Sequence, residues 1–113
     1  MPSGRKNDAL YAQWAVACDG DVDGVRLLSP QMIDRIFEVQ SNGIDLVIGI
    51  PLKMGVGYGL LPEGRVCCWG GAGGSLVIID VDRRMTLAYV MNKMASGAIA
   101  WALVERVYDI VKY

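Results

Sequence analysis

From Trp69 to Ser75 the chain reads Trp-Gly-Gly-Ala-Gly-Gly-Ser, and Leu76-Val77-Ile78-Ile79-Asp80 follows directly. Each glycine weakens a helix or strand interior by roughly 0.5–1 kcal/mol relative to alanine, so a run this dense forces a bend. The apolar, β-branched residues that follow read as a strand over Ser75–Asp80. Pro62-Glu63-Gly64 turns the chain into another strand over Arg65–Trp69, and Asp82-Arg83-Arg84 turns it into a further one over Met85–Asn92. Upstream, Met54, Val56, Tyr58 and Leu60 alternate with Gly55, Gly57 and Gly59, which predicts a strand with one bare face that a backbone or ligand can approach. Four strands with short connections predict an antiparallel meander.

The remaining segments have helical periodicity. Leu10, Tyr11, Trp14, Ala15 and Cys18 recur at three- and four-residue spacing, predicting an amphipathic helix over Asn7–Cys18. Ser29-Pro30 supplies an N-cap and a proline at the first helical position. The helix it opens is predicted to run to about Ser41, with Met32, Ile33, Ile36 and Phe37 inward and Asn42-Gly43 as its stop. From Ser96 or Gly97 a last helix runs to the end, with Ile99, Leu103, Val107 and Ile110 on one face and Trp101, Val104 and Tyr108 beside it. The expected fold is α+β: an antiparallel sheet of about four strands, a packed C-terminal helix and two N-terminal helices. Residues 1–113 read as a single domain, 1–43 helical and 44–113 sheet plus helix.

Composition narrows the function. The chain has 113 residues, of which 53% are hydrophobic and 20% charged. That excludes disorder and predicts self-association to cover apolar surface. Eleven Lys+Arg against twelve Asp+Glu leave a net charge of −1 with no basic stripe, so nucleic acid is not an expected partner. The bulkiest apolar stretch, Gly97–Val104, falls far short of the roughly 20 residues that cross a bilayer, and no basic-then-apolar leader opens the chain. No membrane association is expected. Three cysteines, two of them adjacent, suit reduced thiols in a cytoplasmic setting. Histidine is absent, which rules out a Ser-His-Asp triad, a Cys-His pair and His-containing zinc sites within this chain.

Three segments together carry a family resemblance: Asp23-Gly24-Val25-Arg26-Leu27-Leu28-Ser29-Pro30, Cys68 to Asp80, and Tyr89-Val90-Met91-Asn92-Lys93-Met94. The chain resembles the C-terminal portion of the β-lactamase-related serine hydrolases, which include class C β-lactamases, penicillin-binding proteins and family VIII carboxylesterases. The resemblance implies that Trp69-Gly70-Gly71 is the third active-site motif, in its Trp-x-Gly form, on a strand lining the catalytic cleft. Trp69 would line the acyl pocket, and Gly70 and Gly71 would let the strand edge pass close to an ester carbonyl. The Ala72 N–H would donate to the oxyanion. Trp69 in place of the lactamase lysine favours small esters over anionic β-lactams. The family moves protons with Lys and Tyr, so the absence of His is compatible, and no cofactor or metal is implied. Its nucleophile lies in Ser-x-x-Lys and the partner Tyr in Tyr-x-Asn, and neither occurs here in its family context. The resemblance therefore implies a chain inactive alone, completed by an upstream polypeptide or present as a homo-oligomer. The alternatives are a plain Gly-rich hairpin, and a non-catalytic module that binds a small ligand or oligomerises.

Other motifs are weaker. Ser3-Gly4-Arg5-Lys6 has Ser-x-x-Lys spacing, but nothing near it would desolvate the lysine, and chance accounts for it better than a nucleophile does. Asp19-x-Asp21-x-Asp23-Gly24 resembles the opening of a calcium loop, yet Pro30 stands where a bidentate Glu is needed. Gly55-x-Gly57-x-Gly59 lacks the last glycine and the βαβ context of a dinucleotide fingerprint. Cys67 and Cys68 lack further ligands for a metal and are predicted to face opposite sides of a strand.

Overall fold

The structure, a computed structural model, describes residues 8–111. In chain order its elements are α1 (Asp8–Ala17), β1 (Asp21–Val22), β2 (Val25–Arg26), α2 (Pro30–Ile36), β3 (Ser41–Ile44), β4 (Pro51–Met54), β5 (Gly59–Leu60), β6 (Val66–Gly70), β7 (Leu76–Asp80), β8 (Met85–Tyr89) and α3 (Ala98–Val111). Strands β3 to β8 form one antiparallel sheet in which each strand pairs with the next in sequence. β1 and β2 make a separate ladder, closed by Asp23 and Gly24 at φ 51° and 80°. A two-residue hairpin turn of the primed type requires that left-handed pair.

The sheet is covered on both faces, giving the α+β architecture. Val16 and Ala17 of α1 and Ile33 of α2 pack with Leu60, Cys67, Ile79 and Val81. On the other face Ala100 and Val104 of α3 pack with Val66, Leu76 and Ile78. Cys67 belongs to the first cluster and Cys68 packs against the second, as strand alternation demands. Arg65 ties the helical face together. Its guanidinium lies 3.0 Å from Asp34 of α2 and 3.7 Å from Asp19 after α1, and its Cζ sits 5.3 Å from the Phe37 ring centroid.

Four details depart from the sequence reading. Residues 54–60 are a hairpin instead of one strand: the Gly55 N–H donates to the Tyr58 carbonyl at 2.9 Å, and Gly57 takes φ 83°. Alternating glycines make a left-handed turn nearly free of strain, so the chain reverses where period two predicts continuation. α2 is capped as predicted, with Ser29 Oγ accepting from the Met32 N–H at 3.1 Å, but it ends at Ile36 instead of Ser41. By Gln40, whose N–H bonds the Met54 carbonyl at 2.8 Å, the chain has joined the sheet, and Asn42 and Gly43 lie in β3 opposite Lys53 and Leu52. The meander therefore has six strands where about four were expected.

Both terminal helices are rotated relative to expectation. α1 buries the small side chains Ala15, Val16 and Ala17, leaving Trp14 42% exposed. α3 turns Ala100 and Val104 inward and leaves Ile99, Leu103 and Ile110 exposed. Ala100 is 1% exposed and belongs to the cluster on this face of the sheet. Tyr108, two turns after Ala100, then donates its hydroxyl to Asp80 at 2.8 Å and fixes the helix about its axis.

Candidate functional site

β6 carries Trp69 and Gly70 to its end, opposite Val77 and Leu76 of β7. The connecting turn is closed by the Gly71 N–H donating to the Ser75 carbonyl at 2.9 Å and the Gly74 N–H donating to the Gly71 carbonyl at 3.1 Å. It is pinned from outside by the segment that follows β8, because the Ala95 N–H donates to the Gly73 carbonyl at 2.9 Å. A Cβ on Gly73 would lie 2.8 Å from the Met91 methyl, and one on Gly74, at φ 108°, would lie 3.0 Å from the Ala95 carbonyl oxygen. The two stretches, Cys68 to Asp80 and Tyr89 to Met94, thus meet in one clamp. Ala72 stands exposed at the tip, and its N–H has no partner among the described residues.

Trp69, Gly70 and Gly71 rim a cavity of about 310 Å³. Leu52 and Met54 of β4, Cys68 of β6, and Ala100 and Trp101 of α3 complete its apolar wall, joined by Ile48 and Ile50 from the β3–β4 loop. Gly59 lies in its floor, where the Cys68 carbonyl oxygen is 3.4 Å from where a Cβ would stand, an ordinary contact distance. Burial pushes the Cys68 thiol up from its ordinary value; burial, and then its neighbour Cys68, push Cys67 up to about 12. Neither is a thiolate at neutral pH, so neither serves as a nucleophile. No Lys, Asp or Glu lines the cavity, whose polar side chains are the Ser75 hydroxyl, the Cys68 thiol and the Trp69 and Trp101 indoles. Among the described residues the lining of this cavity holds no carboxylate or amine to act as a general base.

Ser3 and Lys6 lie outside the described residues. The acidic turn after α1 is held by arginines, Asp19 by Arg65 at 3.7 Å and Asp21 by Arg26 at 3.8 Å. Among the described residues no His, Cys, Asp and Glu gather in a group able to hold a metal ion, and no helix is long and apolar enough to cross a membrane. Sequence reasoning missed Ile48, Ile50 and Trp101 as cavity residues. A signal for the loop does exist: Asp45 Oδ1 accepts from the Val47 and Ile48 N–H groups at 2.8 and 2.9 Å, an Asx turn. Those bonds, the Ile48 one first, hold the Asp45 carboxyl below its ordinary value.

An antiparallel sheet covered by helices on both faces is an architecture this chain shares with the β-lactamase-related serine hydrolases, and the chain belongs to that family through a portion of its fold. The crystal structure of a penicillin-binding protein homolog from Caulobacter crescentus superposes with a TM-score of 0.66 at 30% identity, covering 73% of this chain and 24% of that one. The crystal structure of a family VIII carboxylesterase superposes with a TM-score of 0.68 at 27% identity, covering 74% of this chain and 24% of that one. This chain thus spans about a quarter of each of those structures. No family model matches the sequence, and no curated protein matches it.

Proposed function

We propose that this chain is the C-terminal part of a β-lactamase-like serine hydrolase of the carboxylesterase type, forming one wall of the cleft while a Ser-x-x-Lys nucleophile is provided by other polypeptide. The supporting observation is the unpartnered Ala72 N–H on a turn clamped by Ala95 and Met91, beside an apolar cavity. A backbone donor held in place before charge develops is worth roughly 3–4 kcal/mol in acyl transfer, because it needs no reorganisation. In this reading a small ester acylates the serine, Lys and Tyr move the proton, and water releases the acyl group. Trp69 packs against the apolar part of the ester, and no cation stands there to favour an anionic ligand. The unpaired thiols Cys18, Cys67 and Cys68 suit a cytoplasmic setting.

The test is hydrolysis of a short-chain p-nitrophenyl ester by the chain alone, and after mixing with the Ser-x-x-Lys-bearing portion of a family VIII carboxylesterase. Turnover only in the mixture is expected, with Ala72→Pro, which removes the donor, lowering it by roughly 10²–10³. Turnover by the chain alone that is lost in Ser3→Ala would overturn the proposal and make Ser3 and Lys6 the machinery of a minimal enzyme. A second reading, a non-catalytic module that oligomerises, is favoured by the β3–β4 loop, where Leu46 is 99% and Val47 92% exposed. A fixed oligomer with no turnover in either experiment would support it.

A further inference from the structure

A second opening, of about 680 Å³, lies between the β5–β6 turn and α3, within the size range of small-molecule sites. Leu61, Val66 and Val104 give it an apolar floor, and Trp101 and Tyr108 an aromatic wall. Glu63 of the turn and Glu105 of α3 bring two carboxylates to it from separate elements. Neither forms an ion pair among the described residues. The one cation in the lining, Arg83, is already engaged: its Nη1 is 3.0 Å from Asp80 Oδ2 and its Cζ lies 5.3 Å from the Tyr108 ring centroid.

Charge decides what such an opening can hold. With Arg83 neutralised by the buried Asp80, the two glutamates leave the lining net negative, which disfavours carboxylates and phosphates. A bare metal ion would find only two carboxylates and an apolar floor, too few oxygen ligands for a hard cation. A cation with an apolar body suits all three features: its hydrocarbon covers the floor, its charge meets the carboxylates, and an aromatic lining that includes Trp101 offers ring quadrupoles that attract cations. We propose that this opening binds a small organic cation, an amine or quaternary ammonium carrying an aryl or alkyl group. The site shares Trp101 with the Trp69 cavity but requires no ester chemistry, and its carboxylates Glu63 and Glu105 line this opening and not that cavity.

Benzyltrimethylammonium is the probe, titrated into the 113-residue chain and followed by tryptophan fluorescence, with Trp101→Phe to identify the reporter. Neopentylbenzene is its neutral isostere. Saturable binding of the cation, roughly tenfold tighter than the isostere, is expected, as is loss of that preference in Glu63→Gln/Glu105→Gln with the circular dichroism spectrum unchanged. Equal binding of both compounds, or a preference that survives the double substitution, would overturn the proposal. So would silence toward the cation at millimolar concentration, including the case in which an amphipathic Leu/Lys helical peptide binds instead and marks the opening as a protein-docking groove.

Discussion

Asp80 ends β7 with no exposed surface, and its carboxylate accepts three hydrogen bonds: from the Arg83 backbone N–H at 2.9 Å, from Arg83 Nη1 at 3.0 Å and from the Tyr108 hydroxyl at 2.8 Å. Burial, and after it the bond to Asp80, raise the Tyr108 hydroxyl above its ordinary value, so it remains a donor across the working pH range. Removing the carboxylate strands both partners at the edge of the α3 interface. Asp80→Ala is expected to lower stability by about 3 kcal/mol, and Tyr108→Phe by about 1–1.5 kcal/mol, in urea unfolding. Cys67 sets an alkaline limit. Its thiol is raised to about 12 from an ordinary 9.0, so the folded state favours the protonated form. The stability this contributes is fully present below pH 9.0 and is lost as pH climbs toward 12. Unfolding measured along that range is expected to show a decline that Cys67→Val flattens.

At the scale of elements, α2 and the β4–β5 hairpin fit through a glycine. A Cβ at Gly55 would run into the Ile36 carbonyl oxygen, a backbone atom that cannot swing aside. Gly55→Ala is therefore expected to cost about 2–3 kcal/mol, read as a drop in Tm, although alanine ordinarily stiffens a chain to its benefit. Much at this scale was legible in the sequence. Ser29-Pro30 announced the start of α2, and the turns before and after β7 isolated β6, β7 and β8 close to their observed limits. The β4–β5 hairpin was not legible, because Gly-x-Gly-x-Gly satisfies period two and also supplies the left-handed residue of a turn, and only pairing of Met54 with Gly59 decides between them. The inward face of α3 was hidden for another reason. Apolar residues circle the helix, so periodicity alone cannot choose a face, and the choice falls to Ala100 and the Tyr108–Asp80 bond.

Across the whole molecule, apolar surface remains in excess. Ile44, Leu46, Val47, Ile48 and Ile50 are all exposed around one loop beside the edge strand β3. Leu46→Lys/Val47→Lys is expected to leave the unfolding free energy within about 0.5 kcal/mol, since neither side chain is packed, while shifting sedimentation toward a smaller species. An unchanged sedimentation profile would count against self-association through this loop. The candidate site shows the same division between local and distant information. Trp69, Gly70 and Gly71 are contiguous in the sequence, whereas the walls that make a cavity beside them come from Ile48 and Ile50 some twenty residues before and Trp101 some thirty after, and Ala72 lies outside that lining. Only the folded sheet brings those together.

The order of the main sheet, with every strand beside its successor, has a kinetic consequence. Strand pairing closes only short loops, so each hairpin can zip as soon as its second half exists, and no early strand waits with open hydrogen-bonding groups for a distant mate. The sheet can thus assemble in the order of synthesis, with little exposure to misfolding on the way.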